Sequence, residues 1–237
     1  MEIVQTSSEA MAIINCNDEA SGYMKYYYKP TENTLALFYN DGSVKDSSNN
    51  NISLTTYGTM EWRETGYKDK KYLYTNWSSG FYGNVSWTYT GDKTLSCWLL
   101  CNNTSGWREA FAIGTWNSNG VINLWKSSTY TDAWAAFHNG GWNDIYSRQT
   151  VNTTTWYNII LVIIWTTYTM YVNGVQTNTW SITGMNYNNI VQVWSRQRGS
   201  NNENRIWWIW ECIYENVGWT YEKVQTYVNK SKVNYWL

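Results

Sequence analysis

WYNIILVIIWTTYTMYVNGV, residues 156–175, is the stretch whose reading decides the fold. Ile159 to Trp165 is an unbroken apolar run. It is too short to span a bilayer and rich in β-branched residues, so it predicts a strand buried on both faces. Thr166-Thr167 is a turn, and Tyr168 to Val172 returns as a second strand. Asn173-Gly174 then supplies the strongest short hairpin signal, because a type I′ turn needs positive φ at both central residues. A three-stranded meander at the centre of a sheet is expected.

Outward from this meander the same pattern repeats. Thr94 to Leu100, Ala110 to Thr115, Val121 to Trp125, Trp134 to Phe137 and Ile190 to Ser195 are short apolar, aromatic or β-branched runs. Asn117-Ser118-Asn119-Gly120 and His138 to Asn143 read as the loops between them. Arg205 to Tyr214 carries bulky residues at both parities. That predicts a central strand with one face in the core and the other lined by aromatics. Thr220 to Val228 is the one helix. Thr220 can cap it, Glu222 lies in its first turn, and Val224 and Val228 share a face. Met11 to Ile14 and Tyr23 to Tyr28 suit short strands, and Lys29 to Asn33 a turn. Residues 1–34 therefore read as an N-terminal extension contributing an edge strand.

Motif order in this chain resembles the concanavalin A-like lectin/glucanase superfamily, in particular its laminin-G-like domains. Trp156-Tyr157, a buried strand, then Tyr171-Val172-Asn173-Gly174-Val175 is similar to that family's "WYHVAxTYDG…LYVNG", with Asn158 where His is common. Leu35 to Leu54 resembles its opening, through Asp41-Gly42, Asp46-Ser47-Ser48 and Asn49-Asn50-Asn51. Tyr72-Leu73-Tyr74 through Tyr82 resembles a family strand pair. Trp98 falls on the family Trp and Glu211 on the family Glu. The resemblance implies an all-β, concanavalin A-like jelly-roll sandwich of two antiparallel sheets over about residues 35–220. One short C-terminal helix follows, in a domain of residues 35–237. Acidic loops of some members bind calcium, which makes Asp41 and Asp46 candidate ligands. The alternative is a loop held by an Asx-type bond from Asp46 to its own backbone.

Net charge is −1, with no block of like charges, so nothing attracts a polyanion and nucleic acid is not an expected partner. No signal peptide is visible in Met1 to Glu19, and no apolar run reaches membrane length. Six glycosylation sequons, at Asn51, Asn76, Asn84, Asn103, Asn152 and Asn229, point to an extracellular or virion surface. Cys97 and Cys101 would lie ~13 Å apart on one strand face, too far to bridge. With His138 the single histidine, zinc is poorly supported. The cysteines read as buried small apolar residues, with a Cys97–Cys212 bridge as the alternative.

Catalysis has little to stand on. Glu211 and Glu215 form the one i,i+4 acidic pair on a family strand, without the acid between them that glycosidase relatives carry. His138 would have to serve any Ser-His-Asp site from a loop. The remaining signal is aromatic: 18 Trp exceed what one sandwich core comfortably holds, so some should be exposed. In the resemblance, the far face and loop rim of one sheet carry many ligand sites. Trp116, Asn119, Trp125, Trp134, Asn139, Trp142, Asn143 and Asp144 are the candidate ligand residues, pairing stacking surfaces with hydrogen-bonding groups. The expected function is a non-catalytic carbohydrate-binding or adhesion domain whose partner is a glycan or glycoprotein. One alternative is an assembly protein of a virion or surface layer, binding protein neighbours or copies of itself through aromatic patches. A glycoside hydrolase is the weaker one.

Overall fold

The computed structural model describes residues 27–39, 42–64, 71–75, 79–85, 91–100, 108–114, 121–126, 132–138, 142–150, 152, 155–182, 190–193 and 208–232. The strands are β1 (Thr34–Phe38), β2 (Leu54–Tyr57), β3 (Met60–Glu64), β4 (Lys71–Thr75), β5 (Gly80–Asn84), β6 (Lys93–Leu100), β7 (Arg108–Ile113) and β8 (Val121–Lys126). They continue with β9 (Asp132–His138), β10 (Trp142–Thr150), β11 (Trp156–Ile164), β12 (Thr167–Val172), β13 (Val175–Ser181), β14 (Ile190–Val193) and β15 (Trp208–Glu215). One helix, α1 (Tyr221–Ser231), follows.

Two antiparallel sheets result. The first runs β13-β12-β11-β6-β15-β4-β3, with β1 also on β15; the second runs β10-β9-β8-β7-β14-β5-β2. The expected sandwich with a short C-terminal helix is the observed fold. Between the sheets lies a core that includes Phe38, Leu95, Cys97, Leu99, Phe111, Ile122, Leu124, Ile159, Leu161, Ile163 and Val191. Phe38 anchors it edge-on to Phe81 and Phe111, with centroids 5.2 and 6.3 Å away.

The meander forms, one residue out of step with its prediction. β11 ends at Ile164, and the turn is Trp165-Thr166 rather than Thr166-Thr167, with Trp165 at φ 57°. The Trp165 backbone N–H donates to Asp92 Oδ1 at 2.8 Å, which fixes this left-handed residue. β11 is interior, between β6 and β12, but β13 ends the sheet, so the meander forms one flank and not the centre. Asn173 and Gly174 take φ 51° and 82°, as the type I′ turn requires. Asn173 Oδ1 accepts from the Asn158 N–H at 2.8 Å, and the Asn173 N–H donates to the Asn158 carbonyl at 2.9 Å.

Burial of β11 on both faces has a cause that the strand pattern alone does not show. Its odd residues face the sandwich core; Ile160 and Val162 face a second apolar cluster on the outside of the first sheet. That cluster joins Trp98, Trp210, Ile213, Trp219, Val224, Tyr227 and Val228 to Tyr28, which precedes β1. The helix that closes it starts where expected and runs longer. Thr220 Oγ1 accepts from the Lys223 N–H at 3.2 Å, and α1 continues past Val228 to Ser231. Gln225 donates to the Gly174 carbonyl, so α1 is docked on the hairpin turn.

Two expectations need correction. Residues 72–74 and 82 do not lie on a strand pair: β4 joins the first sheet and β5 the second. The loop expected over His138 to Asn143 is shorter: His138 ends β9, Trp142 and Asn143 belong to β10, and 139–141 lie outside the described residues. Within 1–26, the strands expected at Met11 to Ile14 and at the start of Tyr23 to Tyr28 lie outside the described residues.

Candidate functional site

The candidate residues sort by strand register. Ile122 and Leu124 of β8 are buried in the core. Alternation therefore puts Val121, Asn123 and Trp125 on the opposite, outer face of the second sheet. Register carries that face across two more strands. Trp125 opposes Trp134 on β9, which opposes Tyr146 on β10; Asn123 opposes Ala136, which opposes Asp144; Val121 opposes His138, which opposes Trp142. Glu109 on β7 extends the first row beside Trp125. Neighbouring strands are ~4.8 Å apart and alternate residues on a strand ~6.8 Å, so the grid spans roughly 10 by 14 Å.

Of the residues proposed from sequence, Trp125, Trp134, Trp142 and Asp144 thus share one face. Asn143 falls on the other, at the position paired with Phe137. Trp116, Asn119 and Asn139 lie outside the described residues. Sequence reasoning missed Tyr146, Asn123 and Ala136. The signal for Tyr146 was available as the period-two spacing of Trp142, Asp144 and Tyr146, which the loop assignment hid. The middle row has a small residue, Ala136, between Asn123 and Asp144, with aromatic positions on either side. By register alone, these rows place aromatic residue types on either side of two polar positions.

Beyond Tyr146 the β10 ladder is interrupted. Its register shifts between Tyr146 and Thr150, and Arg148 is exposed at φ 55°. Ser147 Oγ donates to the Gln149 carbonyl and accepts from the Gln149 N–H, at 3.0 and 3.2 Å, closing the bulge. The Tyr146 carbonyl accepts from Asn178 Nδ2 of β13 at 3.0 Å, tying this edge to the first sheet.

Glu211 and Glu215 are placed elsewhere, under α1. A bulge in β15 sets Trp210 and Glu211 together opposite Trp98. Glu211 is 1% exposed; it accepts from the Tyr28 N–H at 3.3 Å and from the Tyr227 hydroxyl. Burial raises its pKa to about 7, against the opposing pull of those two bonds. Glu215, wholly buried, accepts from Lys223 Nζ at 2.9 Å, Thr34 Oγ1 at 3.1 Å, Thr31 Oγ1 at 3.3 Å, the Tyr28 hydroxyl and Trp219 Nε1. Burial alone would raise its pKa, but the Lys223 ammonium and the hydroxyl and indole donors outweigh it and lower it. Neither carboxylate faces solvent where a glycosidic bond would have to lie.

These shifts fix a pH dependence. A carboxyl whose folded pKa is raised stabilises the fold fully below its unfolded pKa, near 4.5, and loses that contribution as pH rises through about 7. Over this window Glu211 is expected to withdraw about 3 kcal/mol. Glu215, shifted the other way, stabilises the fold at and above pH 4.5 and loses that contribution only as pH falls below it. Urea denaturation of the wild type and Glu211→Gln at pH 5 and pH 8 checks this. The variant should lose most of the difference between the two pH values, and parallel profiles would refute the assignment.

In the β1–β2 connection, Asp46 is buried and its carboxylate is occupied by the chain. It accepts from the Leu37, Ser48 and Ile52 N–H groups at 3.0, 3.0 and 2.8 Å and from Ser48 Oγ at 2.7 Å. The bond to Ser48, two residues on, is the Asx-type bond. Asp41 lies outside the described residues. Among the described residues, no group of three or more His, Cys, Asp or Glu is placed to hold a metal. None of the described helices is long and apolar enough to cross a membrane.

No protein-family model matches the chain, and no curated protein matches its sequence. Solved structures do. The binding domain of Paraclostridial Mosquitocidal Protein 1 superposes with a TM-score of 0.66 at 17% identity, over 83% of this chain and 52% of that one. A botulinum neurotoxin type C structure gives 0.65 at 11%, over 84% and 51%. Domain 4 of the extracellular arabinanase AbnA from Geobacillus stearothermophilus, in complex with arabinotriose, gives 0.65 at 15%, over 81% and 97%. The chain therefore spans about half the length of these toxin domains and almost all of the arabinanase domain. At these identities the likeness is one of fold.

Proposed function

We propose that this is a non-catalytic carbohydrate-binding domain whose ligand lies on the outer face of β8, β9 and β10. The observation that carries the reading is the register row Trp125–Trp134–Tyr146, set beside Asn123, Ala136 and Asp144 and followed by His138 and Trp142. Sugars present C–H faces that stack on aromatic rings, while carboxamides and carboxylates bond their hydroxyls. A face ~14 Å long suits an oligosaccharide better than a single sugar. The similar structures support this reading at the level of class. The arabinanase domain, matched almost end to end, was solved with arabinotriose. The neurotoxin type C work concerns interaction with two ganglioside molecules, and a neurotoxin DC binding domain was solved with SialylT. Display on a surface agrees with the sequons: Asn51, Asn84, Asn152 and Asn229 are all exposed. The finer form of the proposal is a lectin-like, laminin-G-like role in adhesion.

The test is a glycan array read with the wild type, Trp134→Ala and Trp180→Ala. Trp134→Ala should lower binding at least tenfold, in line with about 1.4 kcal/mol or more for a lost stacking contact. Trp180→Ala, on β13, should bind as the wild type does. Equal binding by all three proteins removes the site from this face.

A second reading, assembly through aromatic patches, is favoured by the far end of the first sheet. There Trp165 is 87% exposed and Ile164, Val175 and Trp180 are exposed as well. If no glycan binds and light scattering shows an oligomer that Trp165→Ser dissociates, assembly replaces sugar binding as the function.

A further inference from the structure

Cys97 and Cys212 face each other across β6 and β15 as direct register partners. Both are fully buried between the sheets, and their Sγ atoms are 3.5 Å apart. Directly opposed residues on antiparallel strands have Cα atoms ~4.5–5.5 Å apart, within the span a disulfide bridges. The β15 bulge at Trp210-Glu211 lies immediately before Cys212, where the bulged strand bends and the ladder is interrupted. An S–S bond is ~2.05 Å long, so the two sulfurs need to approach by about 1.5 Å. We propose that Cys97 and Cys212 are joined by a disulfide when the chain folds in an oxidising compartment.

The oxidant is a small-molecule disulfide of the glutathione type. One cysteine thiolate attacks its S–S bond, expels one small thiolate and is left as a mixed disulfide. The second cysteine thiolate then attacks the protein sulfur of that mixed disulfide and expels the other small thiolate. Two cysteine protons leave, two small thiols form, and the electron pair released by the protein reduces the oxidant. The exchange belongs to folding, because neither sulfur is reachable once the sheets have closed. Burial also raises the Cys212 pKa well above its usual range and suppresses its thiolate in the folded state. The bridge spans 115 residues of chain, so it restricts the unfolded chain strongly.

The test uses full-length protein folded with a mixture of reduced and oxidised glutathione. It is unfolded in guanidinium with an alkylating agent and no reductant, then mapped by mass spectrometry. The expected result is one peptide pair joining Cys97 to Cys212, with Cys16 and Cys101 alkylated. Thermal denaturation should show a Tm about 10 °C higher than for the same protein in reductant. The double variant Cys97→Ala/Cys212→Ala should show no such dependence on reductant. Alkylation of both Cys97 and Cys212, or a link from either to Cys16 or Cys101, overturns the proposal. Should the double variant fail to fold, the peptide map of the unsubstituted protein decides alone.

Discussion

Glu215→Ala is expected to destabilise the domain by about 3–5 kcal/mol, near the limit for a single substitution. The carboxylate is the shared acceptor for Lys223, Thr34, Thr31, Tyr28 and Trp219. Tyr28 and Trp219 are stacked at 5.8 Å, and Lys223 Nζ sits 4.9 Å over the Trp219 ring, so these donors cannot move apart to find water. Removing the acceptor leaves an indole N–H, a phenol and a half-covered ammonium facing an apolar cluster. Each unsatisfied buried donor costs about 1–3 kcal/mol. Glu215→Gln keeps one acceptor oxygen but turns an amide toward donors, and should fall between the two. The checks are urea midpoints at pH 7. A loss below about 1 kcal/mol for Glu215→Ala would mean that water replaces the carboxylate and that the cluster is not sealed.

Trp98→Ala is expected to cost a similar 3–5 kcal/mol, by a different route. Trp98 is fully buried on the helix side of β6, opposite the β15 bulge, and its Nε1 donates to Ser231 Oγ at 3.0 Å. Truncation opens a void under α1 and frees Ser231. Because the cluster under the helix is distinct from the core between the sheets, the damage should be local. Amide exchange should accelerate first in Tyr221–Ser231 while β11 stays protected. Equal loss of protection in β11 and α1 would show that the two clusters unfold as one.

These effects bear on what a sequence of this kind reveals. The sandwich was legible because each decisive signal was local. Asn173-Gly174 needs no tertiary partner to declare a turn, and Thr220 with Glu222 declares a helix start. The Trp165 turn was misplaced by one residue because bulky residues rarely take positive φ. Only the tertiary bond to Asp92 makes it intelligible. Pairing was less legible than strand existence. β4 and β5 are sequence neighbours in different sheets, and nothing in either run states which sheet it joins. The acids under α1 were seen as a pair, but their burial depends on a helix and an N-terminal segment distant in sequence. In the candidate site, the aromatic types were visible and the face was not. Assigning 138–143 as a loop broke the alternation that aligns Trp142, Asp144 and Tyr146.

The central claim is that the outer face of β8–β10 holds a glycan. The most direct measurement is backbone amide chemical-shift mapping on isotopically labelled protein, titrated with the strongest glycan from the array. The account predicts saturable shifts concentrated in Val121–Lys126, Asp132–His138 and Trp142–Thr150, lost in Trp134→Ala. Shifts confined to the β11–β13 end around Trp165 and Trp180, or no saturable shift with any arrayed glycan, would contradict it.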